Sequence, residues 1–190
     1  SRWYTGAGLY RSVNLLTGTI PCIAPQGVRL TTRVADEKQS IVQVQTSVLS
    51  PGNIPYSVRQ TVTDPDGQIV ATGGDGEITL AHAKLWSADT PHLYTLTTDV
   101  LVDGTVNDTT TTVFGLRTVS VDRVKGFQVN GQSVLLKGGC LHHDNGIVGS
   151  VSTRGIELRK VRILKQAGYN AIRCAHNPPS TALLEACDKL

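Results

Sequence analysis

From Val28 to Thr118 apolar and polar residues alternate along the chain, as they do in strands with one buried face. Val28, Leu30, Thr32 and Val34 mark the first such run. In the second, Ile41 to Val48, Val42, Val44 and Thr46 share one face, and Gln43 and Gln45 take the other. Tyr56 to Val62, Gln68 to Ala71, Glu77 to Ala81, Leu93 to Val102 and Asp108 to Arg117 complete the set. Turn chemistry separates the runs. Asp64-Pro65-Asp66-Gly67 offers a preset φ at Pro65 and a glycine for a positive φ, and Asp103-Gly104 is a hairpin signal. About seven short strands with turns every 8–12 residues predict an immunoglobulin-like β-sandwich. Ahead of it, Gly6-Ala7-Gly8 and the loose alternation of Leu9 to Leu16 suggest a turn into a strand, and Pro21 and Pro25 mark a connection.

After Arg117 the period changes. Phe127 to Leu136 reads as a hairpin around Asn130-Gly131, and its second arm, Val134 to Lys137, is the expected first strand of a new unit. Thr153 to Ala167 has helical spacing, with Thr153 as cap and Glu157 near the positive end. Ile156, Ile163, Leu164 and Ala167 form its expected apolar stripe, with Val161 nearby. Gly168 stops it, Asn170 to Cys174 is a second strand, and Ser180 caps another helix with Leu183, Leu184 and Cys187 inward. Strand, helix, strand is a βαβ unit, whose right-handed crossover makes the strands parallel and brings both carboxyl ends to one edge. Two parallel strands cannot bury both faces of a sheet, so the natural protein is expected to continue beyond Leu190.

Composition narrows the classes. A formal charge of +3, carried by scattered rather than striped basic residues, argues against nucleic acid. No apolar run is long enough for a membrane span, and no N-terminal stretch reads as a signal peptide. Cys22, Cys140, Cys174 and Cys187 match no zinc or disulfide spacing, so free thiols are expected, Cys140 and Cys174 as small buried groups at strand ends. Free cysteines without a signal peptide favour a cytoplasmic protein.

Chemistry concentrates in two strand-end stretches, Lys137 to Asp144 and Asn170 to Pro178. Their titratable residues are His142, His143, Asp144, Arg173 and His176. Any one of them alone is as easily structural as functional. Together at one edge they favour a site, since α/β folds place their chemistry at the carboxyl ends of strands. A metal fits less well, because adjacent histidines diverge along an extended backbone. No pair of carboxylates stands at a strand end: Asp144 is the only acid in either cluster, and Glu157 and Glu185 lie on helices.

Five ordered motifs resemble glycoside hydrolase family 2, the family of β-galactosidases and β-glucuronidases. Trp3 with Gly6 to Arg11 is similar to the close of that family's sugar-binding jelly roll. Leu85-Trp86-Ser87-Ala88-Asp89-Thr90-Pro91-His92-Leu93-Tyr94 and Phe114-Gly115-Leu116-Arg117 resemble motifs of its immunoglobulin-like domain. Phe127 to Asp144 and Asn170 to Pro178 resemble the entry to its TIM barrel.

The resemblance implies three segments: a jelly-roll remnant over 1–20, the sandwich over 21–118, and the first β/α units of a TIM barrel over 119–190. It implies a retaining glycosidase with two Glu carboxyls about 5–5.5 Å apart. Both are expected beyond Leu190, so no catalytic residue lies in this chain and the fragment is expected to be inactive alone. His142, His176 and Asp144 take substrate-binding positions, and Arg173 takes that of the arginine that orients the nucleophile. The Lys-Gly-x-x-x-His-His-Asp form favours a terminal β-galactoside as substrate, with a β-glucuronidase as the alternative. No cofactor is implied. Ser1 stands where some β-galactosidases carry a metal-site Asp, so no metal is carried over. A β-linked sugar is the implied partner, and a homo-oligomer stays open. A non-catalytic carbohydrate- or protein-binding sandwich and a metal hydrolase are the competing readings.

Overall fold

The computed structural model describes residues 8–190. Trp3, Gly6, Ala7 and Ser1, on which part of the jelly-roll reading rests, lie outside the described residues. The chain forms two compact units. One spans Leu16–Ser133; the other joins Val134–Leu190 to the described part of Ser1–Leu15.

The larger unit is a sandwich of seven antiparallel strands. They are β1 (Cys22–Val34), β2 (Gln39–Leu49), β3 (Ser57–Thr63), β4 (Ile69–Gly73), β5 (Gly76–Ala81), β6 (Tyr94–Val102) and β7 (Thr105–Phe114). One sheet runs β1-β2-β5 and the other β4-β3-β6-β7. Every strand expected in this region is present. On β2, Val42 and Val44 are buried while Gln45 is exposed, as the alternation requires. Val42, Val62, Leu80, Leu96 and Leu116 fill the core, joined by Tyr94 and Phe114, whose rings lie 5.7 Å apart. β1 begins earlier than its alternation suggests, because a register shift between Ile23 and Val28 interrupts the pattern that marks a strand. At the β6–β7 hairpin Asp103 and Gly104 have φ of 48° and 78°, the left-handed pair that such a two-residue turn demands.

The two aromatic motifs meet here. The Trp86 ring covers Gly115 so closely that a Cβ at Gly115 would stand 2.7 Å from it. The Arg117 guanidinium lies 4.1 Å from the Trp86 ring centre. Asn130 ties this corner to a small sheet of β8 (Val119–Asp122), β9 (Gly126–Val129) and β10 (Gln132–Ser133). Its side chain donates to Trp86 O at 3.0 Å and accepts from Thr118 N at 2.9 Å.

The smaller unit holds β11 (Gly138–Leu141), a 3₁₀ turn at Gly146–Val148, α1 (Arg154–Gln166), β12 (Ala171–Cys174) and α2 (Thr181–Lys189). β11 and β12 are parallel, Gly138 opposite Ala171 and Leu141 opposite Cys174. Thr153 and Ser180 cap the two helices, accepting from Ile156 N and Leu183 N.

Four expectations are corrected in this unit. Residues 8–16 form no strand, and Leu9, Val13 and Leu15 are exposed, so their loose alternation marks no buried face. The first parallel strand starts at Gly138, not Val134. Asn170 explains the shift: it accepts from Lys137 N at 2.7 Å and donates to Leu135 O at 3.0 Å, so side-chain bonds replace a ladder there. On α1 the buried residues are Glu157 and Val161, while Ile163 is exposed. The face that packs is rotated from the expected stripe because a carboxylate, hydrogen-bonded by Ser152 and ion-paired with Lys160, occupies a core position. On α2 Leu184 is likewise exposed, and Leu183 and Ala186 face the cluster with Val161, Ile172 and Cys174.

Candidate functional site

Side chains on successive strand positions point to opposite faces. Ile172 and Cys174 join the apolar cluster beneath α1 and α2. Cys140 and Arg173, opposite each other in the register, therefore share the other face. Both are exposed, which corrects the expectation of a buried Cys140. Arg173 Nη1 donates to Cys140 Sγ at 3.3 Å. Among the described residues no carboxylate pairs with this guanidinium. Gly138 lets the strands come together: a Cβ there would overlap the Ala171 carbonyl oxygen.

The strands end together, with Ala175 N donating to Leu141 O at 2.8 Å. His142 and His176 follow at once. Their ring centres are 5.7 Å apart and the rings nearly perpendicular, at 88°. The peptide between Ala175 and His176 is cis. Neutral imidazoles offer one donor and one acceptor each, which suits ligands that carry several hydroxyls. Asp144, half-buried, sits in the turn after β11, its N–H donating to His142 O at 2.8 Å. The structure thus brings His142 and His176 together and sets Arg173 on the exposed strand face. Asp144 lies on the loop that leaves β11.

Beneath this edge lies a network that the sequence did not disclose. Glu157 is buried. Its Oε1 accepts from Ser152 Oγ at 2.8 Å, and Lys160 Nζ is 3.0 Å from Oε2. Ser152 Oγ also lies 2.6 Å from Ser180 Oγ. A hydroxyl has one hydrogen, so Ser180 donates to Ser152 and Ser152 donates to Glu157. Burial pushes the Cys174 thiol pKa up, and the Glu157 charge adds to the shift. Arg11, Asn177 and Pro178, which the motifs contain, also adjoin the strand-end cluster. Arg11 reaches the Pro178 carbonyl at 2.9 Å, a contact between residues too distant in sequence for spacing to reveal.

Among the described residues no group of three or more His, Cys, Asp or Glu side chains could hold a metal ion. Among them, too, no helix is long and apolar enough to cross a membrane.

Comparison with known proteins gives the family. The sequence pattern of "Glycosyl hydrolases family 2" matches residues 24–117, and that of the family's TIM barrel domain matches 119–190. The Bacteroides ovatus protein "Beta-galactosidase BoGH2A" is 41% identical over 207 residues, covering 100% of this chain and 24% of that protein. A β-glucuronidase from Rattus norvegicus is 31% identical, covering 98% of this chain and 29% of its own length. The structure of a β-glycosidase from Bacteroides vulgatus matches with a TM-score of 0.93 at 30% identity, covering 99% of this chain and 25% of that one. The chain thus spans about a quarter of the length of these relatives. With an immunoglobulin-like sandwich and the opening strands of a TIM barrel matched in order, the chain belongs to glycosyl hydrolase family 2.

Proposed function

We propose that this chain supplies the sugar-gripping half of a retaining glycosidase site. The observation that carries the reading is Arg173: an exposed guanidinium at the end of a parallel strand, with no carboxylate partner among the described residues. A cation so placed stabilises a nearby carboxylate in its ionised form and orients it through paired hydrogen bonds. In a retaining glycosidase such a carboxylate is the nucleophile. His142, His176 and Asp144 bond the hydroxyls of the bound sugar, most usefully where those bonds strengthen in the transition state.

The chain's four Glu residues are Glu37, Glu77, Glu157 and Glu185, and none stands at the carboxyl end of β11 or β12. The acid/base and nucleophile therefore come from outside these residues, and the isolated chain does not hydrolyse glycosides. A terminal β-galactoside is the favoured substrate, supported by the 41% identity to a protein named β-galactosidase. A β-glucuronide is the second reading, supported by relatives of that name at 30–31% identity. The four free thiols fit a reducing compartment.

The test is an aryl glycoside assay. The isolated chain turns over neither substrate, and a longer protein containing it and both carboxylates cleaves the β-galactoside faster than the β-glucuronide. Turnover by the isolated chain would overturn the half-site reading. A preference for the glucuronide would overturn the choice of sugar alone.

A further inference from the structure

Arg11 is held among the residues that carry the strand-end cluster. Its Nη2 donates to Pro178 O at 2.9 Å, and Nη1 lies 3.5 Å from Pro179 O. The same Nη2 is 3.0 Å from His143 Nε2. Asn177 Oδ1 reaches that ring nitrogen too, at 2.7 Å. The Tyr10 ring completes the arrangement, 6.1 Å from the His143 ring and 5.6 Å from the Arg11 guanidinium.

In a neutral ring one nitrogen holds either a hydrogen or a lone pair. With a lone pair, His143 Nε2 accepts from Arg11, and the Asn177 oxygen, itself an acceptor, has no bond there. With a hydrogen, Nε2 donates to Asn177 Oδ1, and Arg11 keeps only the two carbonyls. The two arrangements differ in whether the Asn177 oxygen is engaged. Asn177 is exposed and adjoins His176.

We propose that Arg11 is a positioning residue for the sugar site. Through the Pro178 and Pro179 carbonyls it fixes the turn that carries His176. By occupying His143 Nε2 it releases the Asn177 oxygen to accept a hydrogen bond from a sugar hydroxyl. The second step rests on the sugar-binding reading above. A hydroxyl that donates to one lone pair of Asn177 Oδ1 weakens that oxygen as an acceptor for His143 and so favours the Nδ1–H tautomer, in which the ring pairs with Arg11. Sugar and Arg11 then favour the same state, and each strengthens the other.

The test is ¹⁵N NMR of the histidine rings in the full 190-residue chain, alone and titrated with methyl β-D-galactoside. The sugar moves His143 Nε2 toward the shift of a nitrogen without hydrogen. Arg11→Met holds it at the hydrogen-bearing shift with or without sugar, and speeds amide exchange at His176 and Asn177 about tenfold. Asn177→Ala, which leaves Arg11 in place, gives the hydrogen-free shift before any sugar is added. An unchanged ring shift and unchanged exchange in Arg11→Met would overturn the positioning role. So would a hydrogen-bearing Nε2 in Asn177→Ala. If both variants behave as stated but sugar moves no resonance, the release of Asn177 and the sugar reading fall, and the Arg11 clamp on the turn stands.

Discussion

Gln60 and Arg173 are both polar residues on strands, in opposite circumstances. Gln60 is fully buried in the sandwich, and its bonds are met. Its Nε2 donates to Thr46 Oγ1 at 2.9 Å and Asp75 Oδ1 at 2.8 Å, and its Oε1 accepts from Thr98 Oγ1 at 2.7 Å. Thr46 N and Oγ1 both donate to the same Asp75, at 2.7 Å each. A network closed in this way joins strands of both sheets and specifies one packing. Arg173 is exposed, and among the described residues its guanidinium meets only a sulfur, Cys140 Sγ at 3.3 Å. Among buried groups the sandwich satisfies its polar atoms internally. At the parallel pair Arg173 and His176 are instead exposed, with His142 half-buried beside them. The first arrangement is that of a scaffold and the second is the one proposed as a site.

The contrast is sharpest in the cores. Leu96→Ala empties a fully buried position in the sandwich and costs about 2–5 kcal/mol, read as an earlier chemical-denaturation midpoint. Leu183→Ala, in the small cluster of Val161, Leu183 and Ala186, leaves the sandwich transition where it was. Equal shifts of that transition in the two variants would mean the units are not separately held.

Gly138→Ala forces β11 from β12, with an expected loss of about 1–3 kcal/mol confined to the smaller unit, seen as faster amide exchange from Gly139 to Leu141. Thiol chemistry gives a smaller effect. Exposed Cys140 is alkylated first, and Cys174, whose pKa is pushed up by burial and by Glu157, reacts slowly, as timed mass spectrometry will read. The smallest effect is at Asp122. Its carboxylate accepts from Lys125 N and Val124 N, which lower its pKa from 3.8. A lowered folded-state pKa contributes stability above pH 3.8 that is lost as pH falls through the lower value. Asp122→Asn therefore removes a small pH dependence of the β8–β9 turn in that acid range, measured by amide exchange.

The sandwich was legible because each strand buries one face and so alternates, and because Asp66-Gly67 and Asp103-Gly104 mark turns. β1 escaped at its start, where the shift before Val28 interrupts the alternation. In the smaller unit the helices and their capping residues were legible, and so was the common edge of the two clusters. Val134 to Leu136 misled because apolar character alone does not distinguish a strand from a segment held by Asn170 side-chain bonds. Val161 and Glu157 displaced Ile163 from the packed face because a buried carboxylate met by Ser152 and Lys160 looks, in sequence, like a surface residue. Arg11 stayed hidden because its hydrogen-bond partners are distant in sequence and two of them are carbonyls, which any residue type supplies.

Arg173 is proposed to hold a catalytic carboxylate. The most direct measurement is the pH–rate profile of a full-length hydrolase containing this chain, with Arg173 and with Arg173→Met. Without the guanidinium, kcat falls about 10²-fold or more and the acid limb moves to higher pH, because the carboxylate has lost the cation that lowered its pKa. An acid limb at the same pH, with kcat unchanged, would contradict the account.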